Sequence, residues 1–106
     1  MESVGGKLVR DRIPEIIRAG GGDPVTYQAE PDEFRRRLRD KLREEVDEFL
    51  EADDATVVEE LADILEVVYA LAADLGTTTD ALETTRAAKA AARGAFTDRT
   101  IWTGIA

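Results

Sequence analysis

The chain contains neither cysteine nor histidine. Without cysteine there are no disulfides and no thiolate nucleophile. Without histidine, the commonest general base near neutral pH and the usual zinc ligand are both missing. Aromatic residues make up only 6% of the 106 positions, so leucine, valine, isoleucine and alanine must fill the core. The three prolines and eight glycines all fall outside the long periodic stretches, which favours an all-helical chain. No signal peptide is evident, and no apolar run is long enough to span a bilayer. A soluble, cytoplasmic protein with no membrane partner is therefore expected. Basic residues are the minority, 14 Lys and Arg against 23 Asp and Glu, for a net charge of −9. A face that binds nucleic acid through its phosphates is normally basic, so nucleic acid is disfavoured as a partner. An acidic surface instead attracts cations.

One domain spanning 1–106 is expected from the length. An irregular lead-in over 1–10 carries the apolar pair Leu8-Val9 between Lys7 and Arg10. Asp11 is the expected cap of a short helix over 12–19 with Pro14 in its first turn, where a missing N–H costs little. Gly20-Gly21-Gly22 ends it. Residues 23–30 form a connector whose Val25-Thr26-Tyr27 suits a brief extended piece. The second helix, 31–52, has the apolar stripe Phe34, Leu38, Leu42, Val46 and Phe49. The third, 57–75, starts from a capping box of Thr56 and Glu59. Its stretch Leu61–Ala73 is apolar almost all round, which a chain of this size cannot easily surround. A partner subunit is expected. A fourth helix over 80–93 starts from a second box, Asp80 with Glu83, and ends at Gly94. The fold class is thus all-α, a helical hairpin with flanking helices that assembles into a dimeric bundle.

Within the hairpin, two carboxylate pairs at i, i+3 spacing flank a short polar turn: Glu45/Glu48 and Glu60/Asp63. With the fold-back near Asp54, Glu48 and Glu60 lie roughly 9 Å up the hairpin and Glu45 and Asp63 roughly 13–14 Å. Glu45 falls in the middle of the apolar stripe, where a lone carboxylate is costly unless paired or ligated. Asp63 interrupts a near-continuous apolar run. Salt bridges with Arg are the ordinary explanation of a single buried acid. Several acids at matched heights, with no basic residue interleaved on the third helix, favour a metal site. All-oxygen ligands favour Mg²⁺, with Mn²⁺ possible. Glu44, Asp47 and Glu51 read as solvated, Glu59 as a cap, and Glu66 is open. Lys41 is a candidate partner for Glu45 or Glu48. The basic residues Lys7, Arg10, Arg12, Arg86, Lys89 and Arg93 are individually ordinary surface cations, but a polyphosphate substrate would need such a set. Core or dimer packing is the first expectation for the few aromatics, including Tyr69, Phe96 and Trp102.

The pattern Glu44-Glu45-x-x-Glu48 followed by Glu60-x-x-Asp63 resembles the EExxE…ExxD signature of the all-α, MazG-like nucleoside triphosphate pyrophosphohydrolases. Lys7-Leu8-Val9-Arg10-Asp11-Arg12-Ile13-Pro14-Glu15-Ile16-Ile17 resembles the opening of a subgroup labelled phosphoribosyl-ATP pyrophosphohydrolase-like. Glu59–Val67 resembles its central helix, and Lys89 with Arg93-Gly94-Ala95-Phe96 its C-terminal K…RGGF. The resemblance implies metal ligation by Glu45, Glu48, Glu60 and Asp63, and hydrolysis between the α- and β-phosphates of a nucleotide. It also implies a homodimer or dimer of dimers. With no histidine available, Glu44 or Glu45 is the expected proton acceptor. Lys7, Arg10, Arg12, Lys89 and Arg93 are the expected holders of the phosphates. The histidine-pathway enzyme carries a Tyr-His pair after its ExxD motif, whereas Glu66-Val67 follows Ile64-Leu65 here. A nucleoside triphosphate is therefore the leading substrate and phosphoribosyl-ATP the alternative. The rival of another class is a non-catalytic, nucleotide-binding helical dimer.

Overall fold

A computed structural model describes residues 6–106; the first five residues of the expected lead-in lie outside the described residues. Four helices follow one another: α1 (Ile13–Ala19), α2 (Pro31–Glu51), α3 (Val57–Asp74) and α4 (Thr79–Arg93). No strand forms among the described residues, so Val25-Thr26-Tyr27 is irregular rather than a strand. The fold is all-α, and each helix begins and ends within a residue or so of its expected bounds.

The ends of the helices have specific causes, and three expected caps are corrected. Arg12, not Asp11, occupies the N-cap of α1, and no side chain caps that helix. Thr56 does stand at the N-cap of α3, but its hydroxyl accepts from no helical N–H. It donates instead to Asp53 Oδ1 at 3.1 Å, and the same oxygen accepts from the N–H groups of Ala55 and Thr56, each at 3.1 Å. One aspartate thus ties the hairpin turn, and Glu59 loses its capping role. At α4 the cap is Thr78, whose Oγ1 accepts from Ala81 N at 3.0 Å, while Glu83 turns to Arg86. Thr77 and Thr78 precede α4 and Thr79 opens it, and the Thr78 hydroxyl wins over Asp80. Helix α3 ends in a Schellman closure: Thr77 N donates to Ala72 O and Gly76 N to Ala73 O. Gly76 has φ +82°, a conformation that costs glycine nothing.

Helices α2 and α3 pack along each other as the antiparallel core pair. Helix α4 touches α3 and makes no contact with α2; α1 packs on none of the other helices. The result is long and thin, 62 × 34 × 24 Å, with a radius of gyration of 18.1 Å. A compact chain of this length has roughly 13 Å. Among the described residues the buried apolar side chains are few: Leu38, Val67 and Ala72. Val58, Leu61, Leu65 and Tyr69 on α3, and Val46 and Leu50 on α2, remain exposed. Phe96 and Trp102 in the tail are also exposed, so neither belongs to a core within the chain. No described helix is long and apolar enough to cross a membrane.

Leu38 is the most enclosed side chain, at 2% exposure. Leu38→Ala should cost about 2–5 kcal/mol in a urea melt, the range for truncating a buried leucine. A loss within experimental error would show that the α2–α3 seam is not where stability resides.

Candidate metal centre

The apolar stripe of α2 forces Glu45 against α3, leaving it only 6% exposed. On α3, Glu60 and Asp63 stand one turn apart and face the same seam. One carboxylate oxygen from each of Glu45, Glu60 and Asp63 falls within 4.8 Å of the others. Glu45 Oε2 and Glu60 Oε2 are buried and have no hydrogen-bond partner. A buried carboxylate oxygen without a partner is unfavourable, and two of them on members of one three-carboxylate cluster suit a hard divalent cation. Such a cluster could hold a metal ion. Glu48, the fourth expected ligand, is exposed at the stripe's edge and stands beside Glu45, outside the converged trio.

Cations from two directions meet these acids. Lys41 Nζ lies 3.3 Å from Glu45 Oε1 and 3.4 Å from Glu44 Oε2. Arg10 Nη2 donates to Asp63 Oδ1 at 2.7 Å, and Lys7 Nζ stands 3.7 Å from Glu44. Glu44, expected to be solvated, is therefore half-buried between two lysines. Burial pushes the Glu45 carboxyl above its ordinary pKa. Lys41 opposes that shift and the neighbouring Glu48 adds to it. For Lys41, burial alone would lower the pKa, but the charges and hydrogen bonds of Glu44 and Glu45 outweigh it and hold the ammonium above its usual value. Lys41 was legible only as a candidate partner; an opposite charge four residues before Glu45 is the signal that marks it.

A cavity of about 460 Å³ opens beside the cluster. Leu8 and Val9 from the lead-in, Phe34 and Leu38 from α2, and Val67 and Ala70 from α3 wall its apolar part. Arg10, Arg12, Lys41, Glu45, Asp63 and Glu66 line its polar side. Arg12 reaches this rim while also hydrogen-bonding Glu15. Within one chain, Lys89 and Arg93 are not brought there: no residue of α4 lines the cavity. Arg86 is engaged by Glu83 on its own helix.

The sequence pattern of the phosphoribosyl-ATP pyrophosphohydrolase family matches residues 21–90, well over half of the chain. The chain belongs to that family. The match takes in the acidic hairpin and places the chain within the MazG-like pyrophosphohydrolase superfamily, as the EExxE…ExxD motif led one to expect. Over 47 residues the chain is 53% identical to an uncharacterized protein of Mycolicibacterium smegmatis. That stretch is 44% of this chain and 48% of the other, so the match spans about half the relative's length. No solved structure matches the chain.

The raised Glu45 pKa has a consequence for stability. Between the ordinary and the raised value, the folded chain keeps a proton that the unfolded chain has released, so stability falls as pH rises through that window. The lowered pKa values of Glu33 and Glu83 act below the ordinary carboxylate range and do not mask it. Urea melts in chelator should therefore lose stability with rising pH just above that range. Glu45→Gln should remove this part of the slope; a variant with the wild-type slope would assign it elsewhere.

Proposed function

We propose that this member of the family is a Mg²⁺-dependent nucleotide pyrophosphohydrolase, with Mn²⁺ an acceptable substitute. It cleaves the anhydride between the α- and β-phosphates of a nucleoside triphosphate, giving the monophosphate and pyrophosphate. The observation that carries this reading is the pair of buried, partnerless carboxylate oxygens on Glu45 and Glu60, which converge with Asp63. Glu45, Glu60 and Asp63 would hold the metal, and Glu48, adjoining Glu45, completes the proposed ligand set. The bound ion would neutralise phosphate charge and acidify water.

The chain's own residues have the following tasks. A carboxylate, Glu44 or Glu45, accepts the proton of the attacking water, since no histidine is present. Glu45 stands inside the cluster, whereas Glu44 stands at its edge beside Lys7 and Lys41. The anhydride bond breaks and the pyrophosphate leaves with its charge opposed by Arg10, Arg12 and Lys7, which enter on the segment before α1. Lys89 and Arg93 join them only if assembly carries α4 to the site. The apolar part of the cavity, walled by Leu8, Val9 and Phe34, suits the base. Phosphoribosyl-ATP is the second reading, favoured by the name of the family that residues 21–90 match.

Purified protein with Mg²⁺ should release pyrophosphate from at least one member of a panel of canonical and modified (d)NTPs and phosphoribosyl-ATP. Glu48→Gln and Asp63→Asn should each lower the rate by at least about 100-fold, the scale of losing a transition-state electrostatic contact, while their melting curves stay cooperative. Retained activity in both variants would remove the site assignment. Nucleotide binding by calorimetry without turnover would instead favour a non-catalytic binding dimer.

The same reading includes a homodimer or dimer of dimers. The three buried apolar side chains among the described residues are too few to stabilise a monomer of this length, and the row Val58, Leu61, Leu65 and Tyr69 is left bare on α3. A second copy covers that row. Sedimentation at micromolar concentration should give a dimer or larger species, and Leu65→Glu should dissociate or unfold it. A wild-type chain that is folded and monomeric under those conditions refutes this assembly.

A further inference from the structure

The two cations on the acid cluster are held very differently. Lys41 grows from α2 itself, its side chain is only 18% exposed, and it is shared by Glu44 and Glu45. Arg10 arrives on residues 6–12, which have no regular structure, and its side chain is 55% exposed. Three polar contacts fasten that segment to the hairpin. Arg37 Nη1 donates to Gly6 O at 2.9 Å, Lys7 pairs with Glu44, and Arg10 pairs with Asp63. Leu8 and Val9, between these fastenings, form one wall of the cavity.

Asp63 is therefore claimed twice, by the guanidinium of Arg10 and by the cluster it forms with Glu45 and Glu60. A divalent charge in that cluster would sit within a few ångströms of Arg10, and like charges at that range repel. Lys41 is enclosed, and Glu45 can keep it on Oε1 while Oε2 stays available. Arg10 is half exposed and rides on a segment outside any helix or strand. Resting on the metal reading above, we propose that Arg10 is the resident counter-cation of the metal-free cluster. It leaves Asp63 when a divalent ion enters, unfastening residues 6–12 from α3 and freeing its guanidinium for the anionic substrate. Arg10 is thus a sensor of metal loading as well as a phosphate-facing residue.

Cleavage after Lys7 by a lysine-specific endoproteinase reads the segment directly and needs no turnover. The full-length protein is digested with chelator or with Mg²⁺ or Mn²⁺ alone, and ion binding is measured by calorimetry on the same samples. Metal should speed cleavage after Lys7 by about threefold or more, the scale set by losing one partly exposed ion pair. Arg10→Met should be cut at the fast rate without metal and should bind the ion more tightly. Arg10→Lys, which keeps the charge, should restore the metal response. Calorimetric binding with unchanged cleavage overturns the exchange while leaving the metal site intact, as does an Arg10→Met protein cut at the slow rate. Absence of binding heat overturns the metal reading itself, and this proposal with it.

Discussion

Placing carboxylates inside a helical seam is the constraint from which the rest follows. An ionised carboxylate removed from water is tolerated only with a compensating charge or hydrogen bonds. Here one oxygen from each of three lies within 4.8 Å of the others, and among the described residues only two cations reach them directly. Lys41 answers part of Glu45 and Arg10 part of Asp63, which leaves Glu45 Oε2 and Glu60 Oε2 without partners. The seam is thus under-neutralised as built, and its pKa shifts register it: Glu45 is pushed toward the proton and Lys41 is held more firmly charged. A divalent cation held by the trio, as proposed, would give both orphaned oxygens a partner.

The constraint shapes the packing as well. Helix α2 must spend one position in its apolar stripe on Glu45, and α3 must interrupt its own with Glu60 and Asp63. That leaves Leu38, Val67 and Ala72 as the enclosed apolar side chains among the described residues. The turn must then be stiff, because the two helices have to hold their acids in register without a large core between them. Asp53, accepting three hydrogen bonds through one oxygen, provides that stiffness. The bare face of α3 follows from the same economy: a hairpin that gives its inner seam to charge must find apolar burial on its outer side.

The helices were legible because their signals are periodic and summed over many residues. The stripe from Phe34 to Phe49, Pro31 at one end and Gly76 at another are redundant markers. Caps were not legible, because each depends on one side chain choosing among partners at similar distance in sequence. Thr56 satisfies the capping-box pattern yet donates to Asp53 instead, and the run Thr77-Thr78-Thr79 offers three hydroxyls before Asp80 is reached. The acid trio was legible from a mismatch, an acid in an apolar stripe, which local pattern exposes well. Glu48 shows the limit of equal heights along a hairpin: rotation about α2 leaves it at the edge while Glu45 converges with the acids of α3. The basic residues were the least legible, since their positions depend on the path of an irregular segment rather than on any repeat. That path brings Lys7 and Arg10 to the cluster and leaves Lys89 and Arg93 away from it.

This division of labour bears on selectivity. The acids sit on the two long helices, which pack along each other and fix their mutual geometry. Arg10, Arg12 and part of the apolar wall, Leu8 and Val9, come instead from residues 6–12, which three polar contacts fasten to the hairpin. On the proposed function, chemistry common to any polyphosphate falls to the acids of α2 and α3, and discrimination of what is attached to the phosphates to the cavity wall. A change at Glu45, Glu60 or Asp63 should then strike every substrate alike. A change at Leu8, Val9 or Phe34 should alter the wall, leave the acids in place, and shift preference among nucleotides before it abolishes turnover. The proposed reaction end and recognition end meet, before metal enters, at the contact between Arg10 and Asp63.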